Sequence, residues 1–453
     1  MTDVNNQKAA VVSCVDGIGD QQWFVGIDWA SQKHDVALHD VGGKIVSKAT
    51  FEHSGDGMAS LADWLVATSG SPPHAIAVAI ERPDGPVVEM LLERGFTVYS
   101  INPKQLDRFR DRFSPAGAKD DSRDTDVLAS ALRTDPQAFR KLLPDAPLLV
   151  ELREWQRMAE EHHQDLVRLT NRLDQVLLRY YPAFRQLEGA SDAAWKLALF
   201  EFAPTPQIAR HLSRAKVTHL LKRYHVRVHD ADEVLQIIRR HPIELPAASV
   251  QAASQHALTL AQSVRFTAEQ LTVAERAIAR VIDALCCGPG DDDASGGASG
   301  EGQGDSDAID AKTRRPSDAA ILASMPGHGN FVLANLLTNA SSAVRERDYL
   351  ALRCLGGVAP VTKQSGKSRY VARRYACNHR VREALFHWAR IAIQHDPKSR
   401  AKYDALRQRG KTFGRALRTV ADRLLYVACT RARDHLLVTS VEPASEFLDD
   451  IKG

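Results

Sequence analysis

The chain has 453 residues, with 59 Lys and Arg set against 56 Asp and Glu, for a net charge of +3. That length suggests about three domains. The six cysteines, adjacent at 286 and 287 and otherwise scattered, exclude a disulfide framework and a Cys/His zinc site. No run reaches the roughly 18 apolar residues of a membrane span, and the opening MTDVNNQKAAVVSC lacks the basic start and apolar core of a signal peptide. The sequence thus reads as a soluble cytoplasmic protein.

Residues 1–22 read as a loose leader, and an α/β unit is expected over 23–145. FVGIDWA reads as a buried strand, and HDVALHD and KIVSKATFE as a hairpin around Val41-Gly42-Gly43. A helix from Gly57 to Thr68 should precede the strand HAIAVAIE. A second helix, PVVEMLLERG, leads to the strand FTVYSIN, and Pro103 opens a further helix. Three antiparallel strands followed by βαβ alternation predict an RNase H-like domain.

Four carboxylates in this unit carry the chemistry. Asp28 and Glu81 each close an apolar strand, so both side chains should emerge at a strand end. In KDDSRD, Asp121 and Asp124 share one helix face, as do Asp120 and Asp124. Such a cluster repels itself unless a cation sits in it, and Mg²⁺ (or Mn²⁺) is the expected ion. A metal site beside a basic surface points to phosphodiester chemistry. DWASQK also resembles the phosphate loop of actin-like ATPases and sugar kinases, but Ala30 replaces the needed Gly and no second Gly-rich loop follows. Asp35, Asp40, Asp84 and His34 are expected at turns or the surface, and Asp126 in solvent.

Residues 146–285 are expected to form a helical stalk. Leu166, Leu169, Leu173, Val176 and Tyr180 fall at alternating three- and four-residue steps, a coiled-coil seam. A second long helix over 246–285 is its expected antiparallel partner, within the chain or from another subunit. Residues 286–318 contain GPGDDDASGGASGEGQGDSD and read as an acidic Gly/Ser-rich linker. Residues 319–440 then read as a mainly α-helical C-terminal domain, with a tail over 441–453.

From Pro360 to Arg433 there are nineteen Lys and Arg against four Asp and Glu. That excess suits a polyphosphate partner. MPGHGN reads as the turn of a helix-hairpin-helix, in which Gly327 and Gly329 let backbone N–H groups approach a phosphate. In GGVAPVTKQSGKSRYVARR, Ser365 is expected on a Gly-flanked loop among Lys363, Lys367, Arg369, Arg373 and Arg374. From residue chemistry alone it could bind a phosphate or attack one.

In order along the chain, GIDWASQKHDVAL, AIERP, Lys119-x-Asp121-x-x-Asp124, SMPGHG, CLGGVAPVTKQSGKS and HDPKSRAKYDALRQRGK together resemble the DEDD transposases of bacterial insertion sequences, the bridge-RNA-guided recombinases. The resemblance implies a RuvC-like N-terminal domain in which Asp28, Glu81, Asp121 and Asp124 hold Mg²⁺. It implies that Ser365 is the nucleophile, with Ser368 as the second choice. It further implies a composite site shared between subunits of a dimer or tetramer. A noncoding guide RNA would pair with target and donor DNA. Departures from the family pattern are the extended leader, the long acidic linker, His328 and Asn330 in the glycine turn, and Asp120 in the carboxylate motif. The competing reading is a hydrolytic two-metal endonuclease of the junction-resolvase type. A non-enzymatic nucleic-acid scaffold is a third.

Overall fold

A computed structural model describes residues 21–113, 121–287, 317–365 and 368–431. Nearly all of the leader, most of the acidic linker, Asp120, Lys367 and the tail lie outside them, as does the side chain of Asp121. The chain divides into two compact units, residues 1–145 and 146–453.

The first unit is built on a six-stranded sheet: β1 (Trp23–Trp29), β2 (Lys33–Asp40), β3 (Ile45–Glu52), β4 (Ile76–Ile80), β5 (Thr97–Ser100) and β6 (Arg140–Lys141), in the order β3-β2-β1-β4-β5-β6. β1 to β3 are antiparallel, β1, β4 and β5 are parallel, and β6 returns antiparallel. Helices α1 (Gly55–Ser69), α2 (Pro86–Glu93), α3 (Pro103–Phe113) and α4 (Asp121–Thr134) complete it. Strand β4 is buried at every residue, as a central strand covered on both faces should be. On one face Val25, Ile27, Val78 and Ile80 pack against Leu61 and Leu65 of α1 and Val88 and Leu91 of α2. On the other, Phe24, Ala77, Ala79 and Tyr99 meet Leu106 of α3 and Val127, Leu128 and Leu132 of α4.

Small residues set the distance of α4 from the sheet. Gly26 sits under it, and a Cβ built there would stand 1.9 Å from the Thr125 carbonyl oxygen. The glycine is therefore a packing requirement.

The second unit begins with α5 (Pro147–Tyr180). Four short helices follow: α6 (Ala194–Phe202), α7 (Pro206–His211), α8 (Arg214–Arg223) and α9 (Ala231–Ile238). The chain returns along α10 (Ala247–Cys287). Leu152 shares a core with Ile278, Val281 and Ile282, whereas Leu173 and Leu177 share one with Val250 and Ala257. The two long helices thus run antiparallel within one chain. All five residues of the expected seam lie on this packed face. The short helices close the far end around Tyr181, Phe184 and Phe200.

At the near end, the roots of α5 and α10 enter the core of a helical cluster. Its helices are α11 (Asp318–Ala323), α12 (Asn330–Asn339), α13 (Ser341–Arg345), α14 (Tyr349–Leu355), α15 (His379–His395), α16 (Pro397–Gln408) and α17 (Phe413–Arg431). Gln156 of α5 accepts a buried 2.7 Å hydrogen bond from Thr338 of α12. One two-stranded hairpin interrupts the helices: β7 (Val361–Ser365) and β8 (Ser368–Ala372). Among the described residues no helix is long and apolar enough to cross a membrane.

Forcing a side chain into a filled core costs about 1–3 kcal/mol. Gly26→Val should sit at the top of that range and lower the thermal unfolding midpoint of the first unit, followed by circular dichroism. Gly55→Ala, at a glycine with open space around it, should stay within about 0.5 kcal/mol of the parent.

Candidate active site

Strand register places the first two carboxylates. Ile27 of β1 lies beside Ile80 of β4 in parallel pairing, so Asp28 and Glu81 stand one residue further on, at neighbouring strand ends about 4.8 Å apart. Asp28 alternates with Gly26 and Phe24 and so belongs to the face that α4 covers. The close approach over Gly26 fixes Asp124, next to Thr125, against that face, and Asp124 is 7% exposed.

One cation ties these groups together. Arg110 of α3 forks onto Asp124, with Nε donating to Oδ1 and Nη2 to Oδ2, both at 2.8 Å. Its Nη2 also lies 3.7 Å from Glu81 Oε2, and Nη1 donates to Asp107 at 2.6 Å. Burial pulls the guanidinium pKa down. The hydrogen bonds to Asp124 and Asp107, with the field of Asp124 and Glu81, outweigh it and leave the pKa raised. Asp121 opens α4, three residues before Asp124. Among the described residues, no three His, Cys, Asp or Glu side chains stand in metal-holding geometry. What is brought together is Glu81 and Asp124 around Arg110, with Asp28 at the adjacent strand end. Arg110 has no motif around it in the sequence. Only its place on an amphipathic helix after β5 hints that it turns inward.

Two expectations about this unit are corrected. His34 is fully buried, not at the surface, and its Nε2 lies 2.9 Å from His53 Nδ1. Trp29 stacks on His34 and meets His53 edge-on, while Arg82 covers the Trp29 ring at 4.7 Å. Asp126 is not free in solvent either. It contacts His39 at 3.2 Å and Lys48 at 2.5 Å, tying α4 to the β2–β3 hairpin.

In the second unit Ser365 ends β7 and pairs with Ser368 of β8. The expected loop is a hairpin. The β-branched and aromatic residues Val361, Thr362, Tyr370 and Val371 favour strand pairing, and the two five-residue runs around Gly366 were the overlooked signal. Opposed residues share a face, so Lys363, Ser365, Ser368 and Tyr370 point to one side and Gln364 and Arg369 to the other. Both serines are exposed.

The base of the hairpin is braced. Asn378 donates its N–H to the Leu355 carbonyl at 2.8 Å and caps α15 through its side chain. Asp422 of α17 receives Arg353 on both oxygens, at 3.0 and 2.8 Å, and the Tyr349 hydroxyl at 3.0 Å. Just after β8, Arg373 stacks on Tyr375 at 5.4 Å. Burial, and after it the charges of Arg373 and Arg415, push the Arg418 guanidinium pKa down.

Gly327 has φ +81°, and a Cβ there would meet the Ala392 backbone nitrogen at 2.6 Å. The turn is pinned further by Trp388, whose indole donates to the Pro326 carbonyl at 2.9 Å. Gly329 is exposed and precedes α12, a helix start with no side-chain cap. His328 is half-buried, and its burial lowers its pKa against a hydrogen bond to the Ala323 backbone.

A sheet with carboxylates at neighbouring strand ends, and a basic helical unit carrying an exposed serine hairpin, define a protein equipped for nucleic-acid chemistry. Comparison with known proteins agrees. Residues 25–182 match a family described as "Transposase", and residues 319–404 match one described as "Transposase IS116/IS110/IS902 family". The chain is 31% identical over 421 residues to the Streptomyces coelicolor "Mini-circle putative transposase for IS117", covering 91% of this chain and 94% of that one. It is 51% identical over 218 residues to "Putative transposase y4uE" of Sinorhizobium fredii, where the match covers 48% of this chain and 61% of the relative. A third relative, the S. coelicolor insertion element IS110 uncharacterized 43.6 kDa protein, is 24% identical over 432 residues, 93% of this chain and 96% of that one. The chain belongs to the IS116/IS110/IS902 family of insertion-sequence transposases.

The buried His34 gives this unit a pH dependence. Burial, with repulsion from His53, lowers the His34 pKa, against a smaller raising effect of Asp35. Unfolded His34 therefore takes up a proton more readily than the folded residue. Stability should fall as pH drops through the unfolded value of about 6.5 and level off below the folded value. Unfolding midpoints measured from pH ~7.5 to ~5.5 should decline, and His34→Gln should flatten that decline.

Proposed function

We propose that this transposase cuts and rejoins DNA through Ser365, assisted by a metal-binding cluster of Asp28, Glu81, Asp121 and Asp124. The observation that carries the reading is the pair of carboxylates, Glu81 and Asp124, already gathered around one cation beside Asp28. Their hard oxygen donors suit Mg²⁺ or Mn²⁺. The strand order and placement of these groups support an RNase H-like, RuvC-like domain. The antiparallel pair supports a coiled-coil stalk, and α11, the glycine turn and α12 support a helix-hairpin-helix.

When bound, the metal ion would supply Lewis-acid stabilisation of charge on a phosphate oxygen. Ser365 Oγ attacks the phosphorus. The Oγ–P bond forms, the P–O bond to a deoxyribose oxygen breaks, and that oxygen gains a proton as the serine loses its own. A hydroxyl of the second strand reverses the step and frees the serine. Lys363, Lys367, Arg369, Arg373 and Arg374 neutralise the phosphates approaching the hairpin, and Gly329 opens a helix start to another phosphate. Gly327 shapes the same turn. Choice of target and donor DNA rests on a noncoding guide RNA, and the working form is a dimer or tetramer in the cytoplasm. Both rest on family membership.

The test mixes the purified chain with Mg²⁺, the element's noncoding RNA and labelled DNA, followed by denaturation. A labelled protein–DNA band absent in Ser365→Ala is expected. Metal-dependent cleavage without an adduct, unchanged in that variant, would instead establish a hydrolytic nuclease.

A further inference from the structure

Arg110 occupies the position where opposite charge is most needed, yet it belongs to neither motif. Its fork covers both oxygens of Asp124, a carboxylate whose side chain is 10% exposed, while the Glu81 side chain, 40% exposed, lies 3.7 Å away. A buried carboxylate left without a partner is costly, so in the absence of a divalent ion this arginine stabilises the cluster. A divalent ion entering between Glu81 and Asp124 would lie beside the guanidinium that already holds both Asp124 oxygens. Two cations so close repel each other, so they compete for that carboxylate. The arginine has somewhere to go: Asp107, one turn earlier on α3 and largely exposed, already holds its Nη1 at 2.6 Å.

We propose that Arg110 is a displaceable internal cation that gathers the carboxylates in the metal-free protein and competes with the divalent ion for Asp124. This rests on the reading of the carboxylates as a metal site. Displaced from Asp124 but held by Asp107, the guanidinium stays near the strand ends, where a DNA phosphate brought in with the metal would meet it. Arg110 is thus a positioning residue that sets metal affinity and keeps the empty site from repelling itself.

The test is Mn²⁺ titration of the full-length chain without nucleic acid, with free Mn²⁺ read by electron paramagnetic resonance. Binding at the site is the part abolished by Asp124→Asn, which separates it from binding to the acidic linker. Arg110→Gln should bind Mn²⁺ about tenfold more tightly than the parent, the equivalent of one lost charge-assisted hydrogen bond. Arg110→Lys, which keeps the charge but loses the fork, should fall between them and stands in should the glutamine variant not fold. The thermal midpoint without metal should drop in both variants, and the gain on adding Mn²⁺ should exceed that of the parent. A purely structural arginine would lower the midpoint without tightening Mn²⁺. Equal or weaker binding in the variants overturns the proposal and leaves the metal site standing. Absence of any Asp124-dependent binding overturns both.

Discussion

Carboxylates gathered at the ends of the two central strands of a sheet repel one another, and the first unit holds a cation among them. Asp28 and Glu81 are brought abreast by the parallel register of β1 and β4. Asp124 is pressed toward them because Gly26 lets α4 settle onto the sheet. Arg110 then holds Asp124 and draws in Glu81. Remove the glycine and the helix cannot approach; remove the arginine and a buried negative charge is left without its partner. Sheet, helix and cation form one device.

In the second unit the proposed nucleophile is a small hydroxyl residue set among basic side chains. Ser365 lies on a two-stranded hairpin, a structure too small to be stable alone. It is held because α14 and α15 meet at its base and Asp422 locks α14 to α17. The roots of α5 and α10 lie in the same core, so the helical pair and the hairpin-bearing cluster are one packed body. Arg373, just after β8, lies within electrostatic reach of Arg418 on α17, as does Arg415, an arrangement that favours a polyanion as partner.

Much of this was legible in the sequence where a local pattern decides the outcome. The first five strands, the four helices of the first unit and the long antiparallel pair follow from alternation, periodicity and terminating Gly and Pro residues. Asp28, Glu81 and Asp124 were legible because strand ends and helical spacing place side chains. What was not legible depends on tertiary contact. The two-residue β6 has no pattern of its own. His34 looked like a surface residue because alternation does not reveal that Trp29 and His53 enclose it. Asp126 looked solvated because its partners lie on β2 and β3, about eighty residues earlier. Arg110 is one of many arginines, and its place comes entirely from the strand-end carboxylate and the α4 carboxylate it faces. The hairpin at Ser365 was a missed local signal, obscured by its glycine and its charges.

The central claim is that the carboxylate cluster and the serine hairpin serve one reaction. It is tested most directly by the rate of covalent protein–DNA adduct formation in Asp28→Asn, Glu81→Gln and Asp124→Asn, at DNA concentrations that saturate each variant. Each carboxylate variant is predicted to bind DNA yet lose adduct formation by about a hundredfold or more, the usual scale for removing a metal or electrostatic contribution. Adduct formed at the parent rate by all three would contradict the account and leave the serine working without the cluster.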